Sequence, residues 1–415
     1  MPHVVIIGGG FGGLSAAKGF RRAPVCVTVI DRSNHHLFQP LLYQVATAGL
    51  SPADIAVPIR SILRKQRNTD VLMGEVQGID LVGKTVSLPD QQIHYDYLIV
   101  ATGARHSYFG HEEWQVFAPS LKSIPDATKI RQRILIAFEA AEMESDSSKR
   151  QELLTFVIVG GGPTGVEMAG SIAELSHFAL ARDFRRADPR CTRIILIEAG
   201  PRILASFPEQ LSEKARAELL KWGVEVQTGV RVEQIDAEGV TVNGKKVITK
   251  NVIWAAGVKA SPAGTWLNVP TDHTGRVIVQ GDLSVPGHPE VFVIGDTSCL
   301  IRNGKPLPGL APVAMQQGRF VASVVDKRVK EKTAPRLFNY VDKGNLSTVG
   351  RSFAVVDFGK LRLSGLLAWL IWIVVHIYYL IGFRSRILTI LEWAWAYFTF
   401  QRGARIITSE ESAEA

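Results

Sequence analysis

Two clusters of glycine, each followed at a distance by an acid, carry the recognisable chemistry of this sequence. Gly8, Gly10 and Gly13 fill a G-x-G-x-x-G spacing, and Gly160, Gly162 and Gly165 fill it again. In such a turn the first glycine permits the tight bend and the second lets backbone approach a pyrophosphate. The third allows close helix–strand packing. The helix that follows offers N–H groups and the positive end of its dipole to the phosphates. Asp31 ends the apolar run after the first cluster, and Glu198 ends the one after the second. A carboxylate there accepts hydrogen bonds from ribose hydroxyls, and Glu198 would repel a 2′-phosphate, favouring NADH over NADPH. Two dinucleotide sites in one chain invite hydride transfer between a nicotinamide and a flavin, chemistry that needs no protein nucleophile. No Ser-His-Asp set or catalytic carboxylate pair emerges.

The elements that must position these residues are short apolar strands. His3–Ile7 enters the first turn and Leu153–Val159 the second, each leading into an alanine- or glycine-containing helical pattern. Tyr97–Val100 runs into Ala101-Thr102-Gly103, and Asn251–Trp254 echoes it into Ala255-Ala256-Gly257. Small residues at a strand's carboxyl end suit close passage of a ligand, and equally an ordinary turn. Val291–Ile294 ends in Gly295-Asp296, where the acid suits a sugar or ribityl hydroxyl, or caps the next turn. Ser123 to Glu144 reads as a helix, and Ser145 to Glu152 as a polar segment. The stretch from Pro308 opens a further helix, on which Gln316 and Gln317 by themselves read as surface polarity. His35-His36 lacks a full ligand set at metal spacing, so it reads as a solvated or cofactor-edge loop and no metal is expected.

Length and composition bound the class. The 415 residues leave room for two or three domains, and 46% hydrophobic against 21% charged residues describes a folded chain. The net charge is +8 without a Lys/Arg block interleaved with aromatics, which disfavours nucleic acid. Cys26, Cys191 and Cys299 are far apart, which argues against a redox dithiol, an iron–sulfur cluster or a zinc site. The first strand begins too early for a leader, so the chain is expected to start in the cytosol. Leu366 to Phe383 has no charge and only His376 as a strongly polar interruption. As one helix it would be about 27 Å long against a hydrocarbon core of about 30 Å. Ile387 to Phe400 is also apolar, with Glu392 its one charge. Lys360, Arg362, Arg384, Arg386, Arg402 and Arg405 stand at the junctions. A spanning helix would put one junction on the far side, so two helices lying in one interface, on anionic headgroups, are favoured.

Taken together, Gly8–Gly13, Asn34–Gln44, Ala101–Ala104, Gly160–Glu167, Gly295–Asp296, Ala311–Gly318 and the aromatic tail from Leu366 to Arg405 resemble the bacterial type II NADH:quinone oxidoreductases. These are single-subunit, non-pumping NADH dehydrogenases. The resemblance implies an α/β fold of two Rossmann-like dinucleotide-binding domains, glutathione-reductase-like, with membrane-anchoring helices at the C-terminus. The NADH domain (121–264) is inserted in an FAD domain (1–120 and 265–335), and 336–415 is the anchor. It implies FAD on Gly8, Gly10, Phe11, Gly12, Gly13, Asp31, Arg32, Gln39, Val76, Ala101, Thr102, Gly103, Gly295, Asp296 and Ala314. NADH would lie on Gly160, Gly161, Gly162, Pro163, Thr164, Gly165, Glu198, Ala256 and Gly257. Glu167 matches a family glutamate near the two rings, its plainer role being to complement the helix dipole. The family's quinone pattern, Ala-Gln-x-Ala-x-Gln-(Glu/Gln)-Gly, reads here Ala311-Pro312-Val313-Ala314-Met315-Gln316-Gln317-Gly318, with Pro312 for the first Gln. The implied acceptor is a membrane quinone, ubiquinone or menaquinone. The implied setting is a homodimer, peripheral on the cytoplasmic face of the inner (plasma) membrane. A sulfide:quinone oxidoreductase, a soluble-acceptor reductase and an NADH-sensing flavoprotein remain the rival readings.

Overall fold

The computed structural model describes residues 1–332 and 337–407, so the domain boundary expected between 335 and 336 lies outside the described residues. In chain order the elements used below are β1 (His3–Ile7), α1 (Phe11–Gly19), β2 (Cys26–Asp31), β3 (Thr69–Met73) and β4 (Tyr97–Val100). Then come α2 (Ile124–Met143), β5 (Thr155–Val159), α3 (Pro163–Glu174), β6 (Arg193–Glu198), β7 (Val224–Thr228), β8 (Asn251–Trp254) and β9 (His288–Val293). The rest are α4 (Ala311–Val329), β10 (Asn345–Thr348), β11 (Ala354–Asp357), β12 (Arg362–Gly365), α5 (Leu366–Tyr379) and α6 (Phe383–Thr399). The chain forms two compact units. One comprises Met1–Leu37, Ala56–Arg105 and Val258–Lys343; the other comprises Phe38–Ile55, His106–Gly257 and Gly344–Ala415.

The first unit is built on a sheet ordered Ser284–Val285, β9, β4, β1, β2, β3, parallel except at the Ser284–Val285 edge. Val4, Val5, Ile6 and Ile7 are buried, as expected of a β-branched central strand covered on both faces. Helices α1 and α4 cross where a Cβ on Gly318 would stand 2.2 Å from the Gly12 carbonyl oxygen. Glycine alone permits that approach.

The second unit repeats the plan. Its parallel sheet runs β7, β6, β5, β8, the order β3, β2, β1, β4 over again. Helix α2 lies within the stretch expected from the sequence. Ser123 caps it and Asp126 closes the capping box. Its buried face includes Ala127, Ile130, Ile134 and Phe138, with Phe138 stacked 5.8 Å from Phe156. The polar segment that follows is in fact a helix, Ser147–Leu153, because Asp146 accepts the N–H groups of Ser148 and Lys149. It buries no residue, so it leaves no apolar period to read.

The tail departs from expectation in detail. The first helix stops at Tyr379 after 14 residues, about 21 Å. Leu380 is extended and Gly382 takes φ 94°, after which α6 runs for 17 residues from Phe383. Arg384 and Arg386 therefore lie inside a helix. Arg386 donates to the carbonyls of Leu380 (2.7 Å) and Tyr378 (2.8 Å), where α5 ends. Among the described residues no helix is long and apolar enough to cross a membrane. Leu366, Leu370, Val374 and Tyr378, spaced by four, form one exposed face of α5, whereas Ala368 and Trp372 are buried. His376 conceals its polarity by bonding the Trp372 carbonyl at 2.7 Å, and burial lowers its pKa to about 4.

Candidate functional site

In the first unit the glycine turn is held from several sides. Gly8 has φ +102°, and a Cβ on it would stand 2.4 Å from the Ala101 carbonyl oxygen. A Cβ on Gly13 would fall 1.8 Å from the Gly8 carbonyl oxygen, yet one on Gly10 would meet nothing within 4 Å. The third glycine is thus a packing requirement and the second faces open space, the cradle a pyrophosphate fits. No side chain caps α1, so its first turn keeps the N–H groups that a helix leaves over. Asp31 accepts the N–H of Gly9 (2.6 Å) with one oxygen and that of Ser33 (2.7 Å) with the other.

His36 corrects the sequence reading. It lies in a short strand, His35–Leu37, paired with Ala56–Pro58, and is buried. Burial lowers its pKa to about 4, so the ring is neutral and its Nδ1–H donates to the Gly9 carbonyl at 3.0 Å. Gly9 is pinned at both backbone groups.

Other expected flavin-side residues converge on the same end of this sheet. Gly103, with φ +70°, accepts from the Thr297 hydroxyl (3.0 Å) and the Ser261 N–H (3.1 Å). Thr102 and Ser261 share a hydroxyl–hydroxyl bond of 2.5 Å. A Cβ on Gly295 would stand 3.3 Å from that of Ala314, and one on Gly309 would stand 3.2 Å from the Asp296 carboxyl. Val76 is buried and Arg32 is exposed. Gln39 belongs to the second unit, where its amide donates to the Lys122 carbonyl at 3.2 Å.

Gln317 is buried, against the surface reading, and its Oε1 accepts the Gly295 N–H at 2.6 Å. Gln316 donates to the Val341 carbonyl (2.9 Å) and accepts its N–H (3.0 Å). Both amides therefore brace loops of the first unit. Pro312 stands in the first turn of α4, where its missing N–H costs nothing.

The second unit reproduces the geometry of the first turn, with the Leu204 N–H on the Gly161 carbonyl (2.7 Å) where His36 stands on that of Gly9. Gly160 has φ +113° and abuts Ala255, while a Cβ on Gly165 would fall 1.8 Å from the Gly160 carbonyl oxygen. A Cβ on Gly162 would again meet nothing within 4 Å. Pro163 and Thr164 open α3, whose N-cap is Gly162. Glu198 accepts the N–H groups of Gly161 and Gly200, each at 2.6 Å. Ala256 follows β8, and a Cβ on Gly257 (φ +67°) would collide with Phe109 and the Ser107 carbonyl oxygen.

Glu167 faces inward from the second turn of α3. It is buried, accepts the Thr348 N–H at 3.4 Å, and burial pushes its carboxyl up to about 8. At neutral pH it holds its proton. It lines a cavity of about 90 Å³ together with Tyr43, Ser171, Glu174, Arg402 and the indoles of Trp369, Trp372 and Trp393. The residues of this wall all lie in the second unit.

Arg402, expected at a lipid headgroup, is instead buried. It donates to the Thr47 carbonyl (2.7 Å) and pairs with Glu174 at 3.2 Å. Arg405 bonds the Ala179 carbonyl and Asp183. The sequence reading missed this wall. Its signal was aromatic spacing, Trp369 to Trp372 and Trp393 to Tyr397, which repeats on the helical turn.

The profile of the pyridine nucleotide-disulphide oxidoreductases matches residues 2–318. The type II NADH:quinone oxidoreductase Ndh of Mycobacterium tuberculosis is 46% identical over 425 aligned positions, covering 99% of this chain and 91% of that protein. The type II NADH:quinone oxidoreductase of Staphylococcus aureus is 29% identical, covering 86% and 90%. The structure of NDH2 from Plasmodium falciparum in complex with NADH superposes with a TM-score of 0.88 at 21% identity, covering 98% of this chain and all of that one. The sulfide:quinone oxidoreductase of Aquifex aeolicus shares the fold with a TM-score of 0.73 at 19% identity, covering 96% and 95%. On its paired glycine turns and this near full-length similarity, the chain belongs to the pyridine nucleotide-disulphide oxidoreductases and, among them, to the type II NADH:quinone oxidoreductase family.

Proposed function

We propose that the chain is an FAD-dependent NADH:quinone oxidoreductase in which the first glycine turn holds FAD and the second holds NADH. The duplicated turn, each copy with an open second glycine and an anchored acid, is the observation that carries this reading. When bound, FAD would supply the acceptor for the nicotinamide hydride and the electron pair for a quinone. The protein's part is positional. α1 and α3 present their first-turn N–H groups to the two pyrophosphates, and Asp31 and Glu198 stand where each adenosine ribose would lie. Glu198 excludes a 2′-phosphate by charge.

The Glu167 cavity is the quinone headgroup site in this reading. Flat indole walls suit a planar ring, and a protonated carboxyl there donates a hydrogen bond or holds a proton for the reduced product. Gln316 and Gln317 act by bracing loops. The two tail helices rest in the membrane interface on their exposed apolar faces, on the cytoplasmic side, and the protein works as a homodimer. Among the described residues, α5 and α6 carry no chain of ionisable groups for proton conduction, and turnover in this reading is non-electrogenic. Cys26 and Cys191 are exposed and Cys299 is buried, and their wide separation along the chain gives the sulfide reading no support.

The test is spectral. Purified protein should be yellow, bleach on anaerobic NADH and recover on adding a short-chain quinone. A colourless protein, or a flavin that NADH leaves oxidised, overturns the proposal. In proteoliposomes, a pH gradient driven by the protein itself would overturn its non-pumping part.

A further inference from the structure

Tyr43 and Gln44 reach the Glu167 cavity from a short helix, Leu42–Ala46, and Trp393 reaches it from α6. The indole N–H of Trp393 donates to Gln44 Oε1 at 2.7 Å. An indole nitrogen only donates, so this contact settles which end of the amide is oxygen. The other end, Nε2, then faces the Tyr43 hydroxyl at 2.9 Å, and it too only donates. The Tyr43 oxygen is thereby an acceptor, and its own proton must point elsewhere. Tyr43 is 5% exposed and lines the cavity. Burial holds the phenol well above its ordinary pKa, so it stays a donor. A residue of the tail thus dictates the polarity of a hydroxyl in the cavity wall.

We propose that Tyr43 donates a hydrogen bond to a carbonyl oxygen of the quinone headgroup in this cavity, and that Trp393 is a positioning residue that fixes this donor direction through Gln44. The proposal rests on the reading of the cavity as the quinone site. No bond is made or broken in it.

The experiment uses flavin-loaded, full-length protein with two probes labelled with carbon-13 at the carbonyls, a short-chain benzoquinone and 2-methyl-1,4-naphthoquinone. Infrared difference spectra read the bound carbonyl stretch, and equilibrium dialysis reads affinity. In the unaltered protein the stretch should fall below that of the free quinone. Tyr43→Phe and Trp393→Phe should each return it toward the free value and weaken binding about 2- to 10-fold, the worth of one neutral hydrogen bond. In the double variant Trp393→Phe should add nothing to Tyr43→Phe. A stretch unmoved by Tyr43→Phe, or a full additional effect of Trp393→Phe when combined with Tyr43→Phe, overturns the proposal. Trp393→Phe, on a partly exposed helix, carries the test should the Tyr43 variant not fold. Ala396→Phe, which fills the cavity, separates the two failures. If it leaves quinone affinity intact, the quinone binds elsewhere and both readings fall. If it abolishes binding while Tyr43→Phe leaves the stretch unmoved, the hydrogen bond alone is wrong.

Discussion

Each oxygen of the Glu198 carboxylate holds one backbone N–H, that of Gly161 or that of Gly200. Glu198→Gln sets an amide NH₂ against one of these donors. The variant should lose about 1–3 kcal/mol of stability, read as a lower unfolding midpoint. It should also narrow the preference for NADH over NADPH, read as the ratio of kcat/KM values. Glu167 makes a different prediction, about pH. Its carboxyl titrates at about 8 in the folded protein against an ordinary value of 4.5, so the folded state keeps a proton that the unfolded chain has lost. Stability from this group is full below pH 4.5 and falls as pH rises through the window to about 8. Quinone reduction that uses the protonated acid should decline above pH 8, and Glu167→Gln should flatten both dependences. An unchanged basic limb in that variant would count against Glu167 as the titrating group.

At the scale of elements, the two turns make their glycines separable by function. Gly165→Ala drives a Cβ against the Gly160 carbonyl and should prevent folding of that unit. Gly162→Ala meets no protein atom and has φ −71°, which any residue adopts. It should melt like the parent within about 0.5 kcal/mol while KM for NADH rises at least about tenfold. The strands and turns behind this contrast were legible in the sequence because β1 and β5 are buried on both faces and written in β-branched residues. The site was legible only in part. Asp31, Glu198 and the glycines are fixed by local spacing, but the partners of His36, Gln317 and Arg402 lie far along the chain. No periodicity announces that a histidine will bury itself beneath Gly9. Nor does a run of apolar residues show that Gly382, at φ 94°, will split the tail earlier than its charges suggest.

Across the whole molecule, one plan is used twice and then extended by a tail with two opposed faces. The outer face of α5 is apolar and exposed, that of α6 is mostly apolar but carries Arg384 and Glu392, and the inner side closes over Glu167. Leu370→Glu combined with Val374→Glu should detach the protein from vesicles in a flotation assay and leave quinone affinity unchanged. Detachment with a large loss of affinity would mean that the two faces are not independent. Cutting the chain after Gly359 cannot make that distinction, because it removes Trp369, Trp372, Trp393 and Arg402 along with the apolar face. Anyone trimming this protein into a detergent-free reagent for inhibitor screening would thus be taking the roof off the room. Hits against such a fragment would report on its nucleotide turns alone. A reagent made water-soluble by recharging the outer face would keep the ceiling in place for compounds to find.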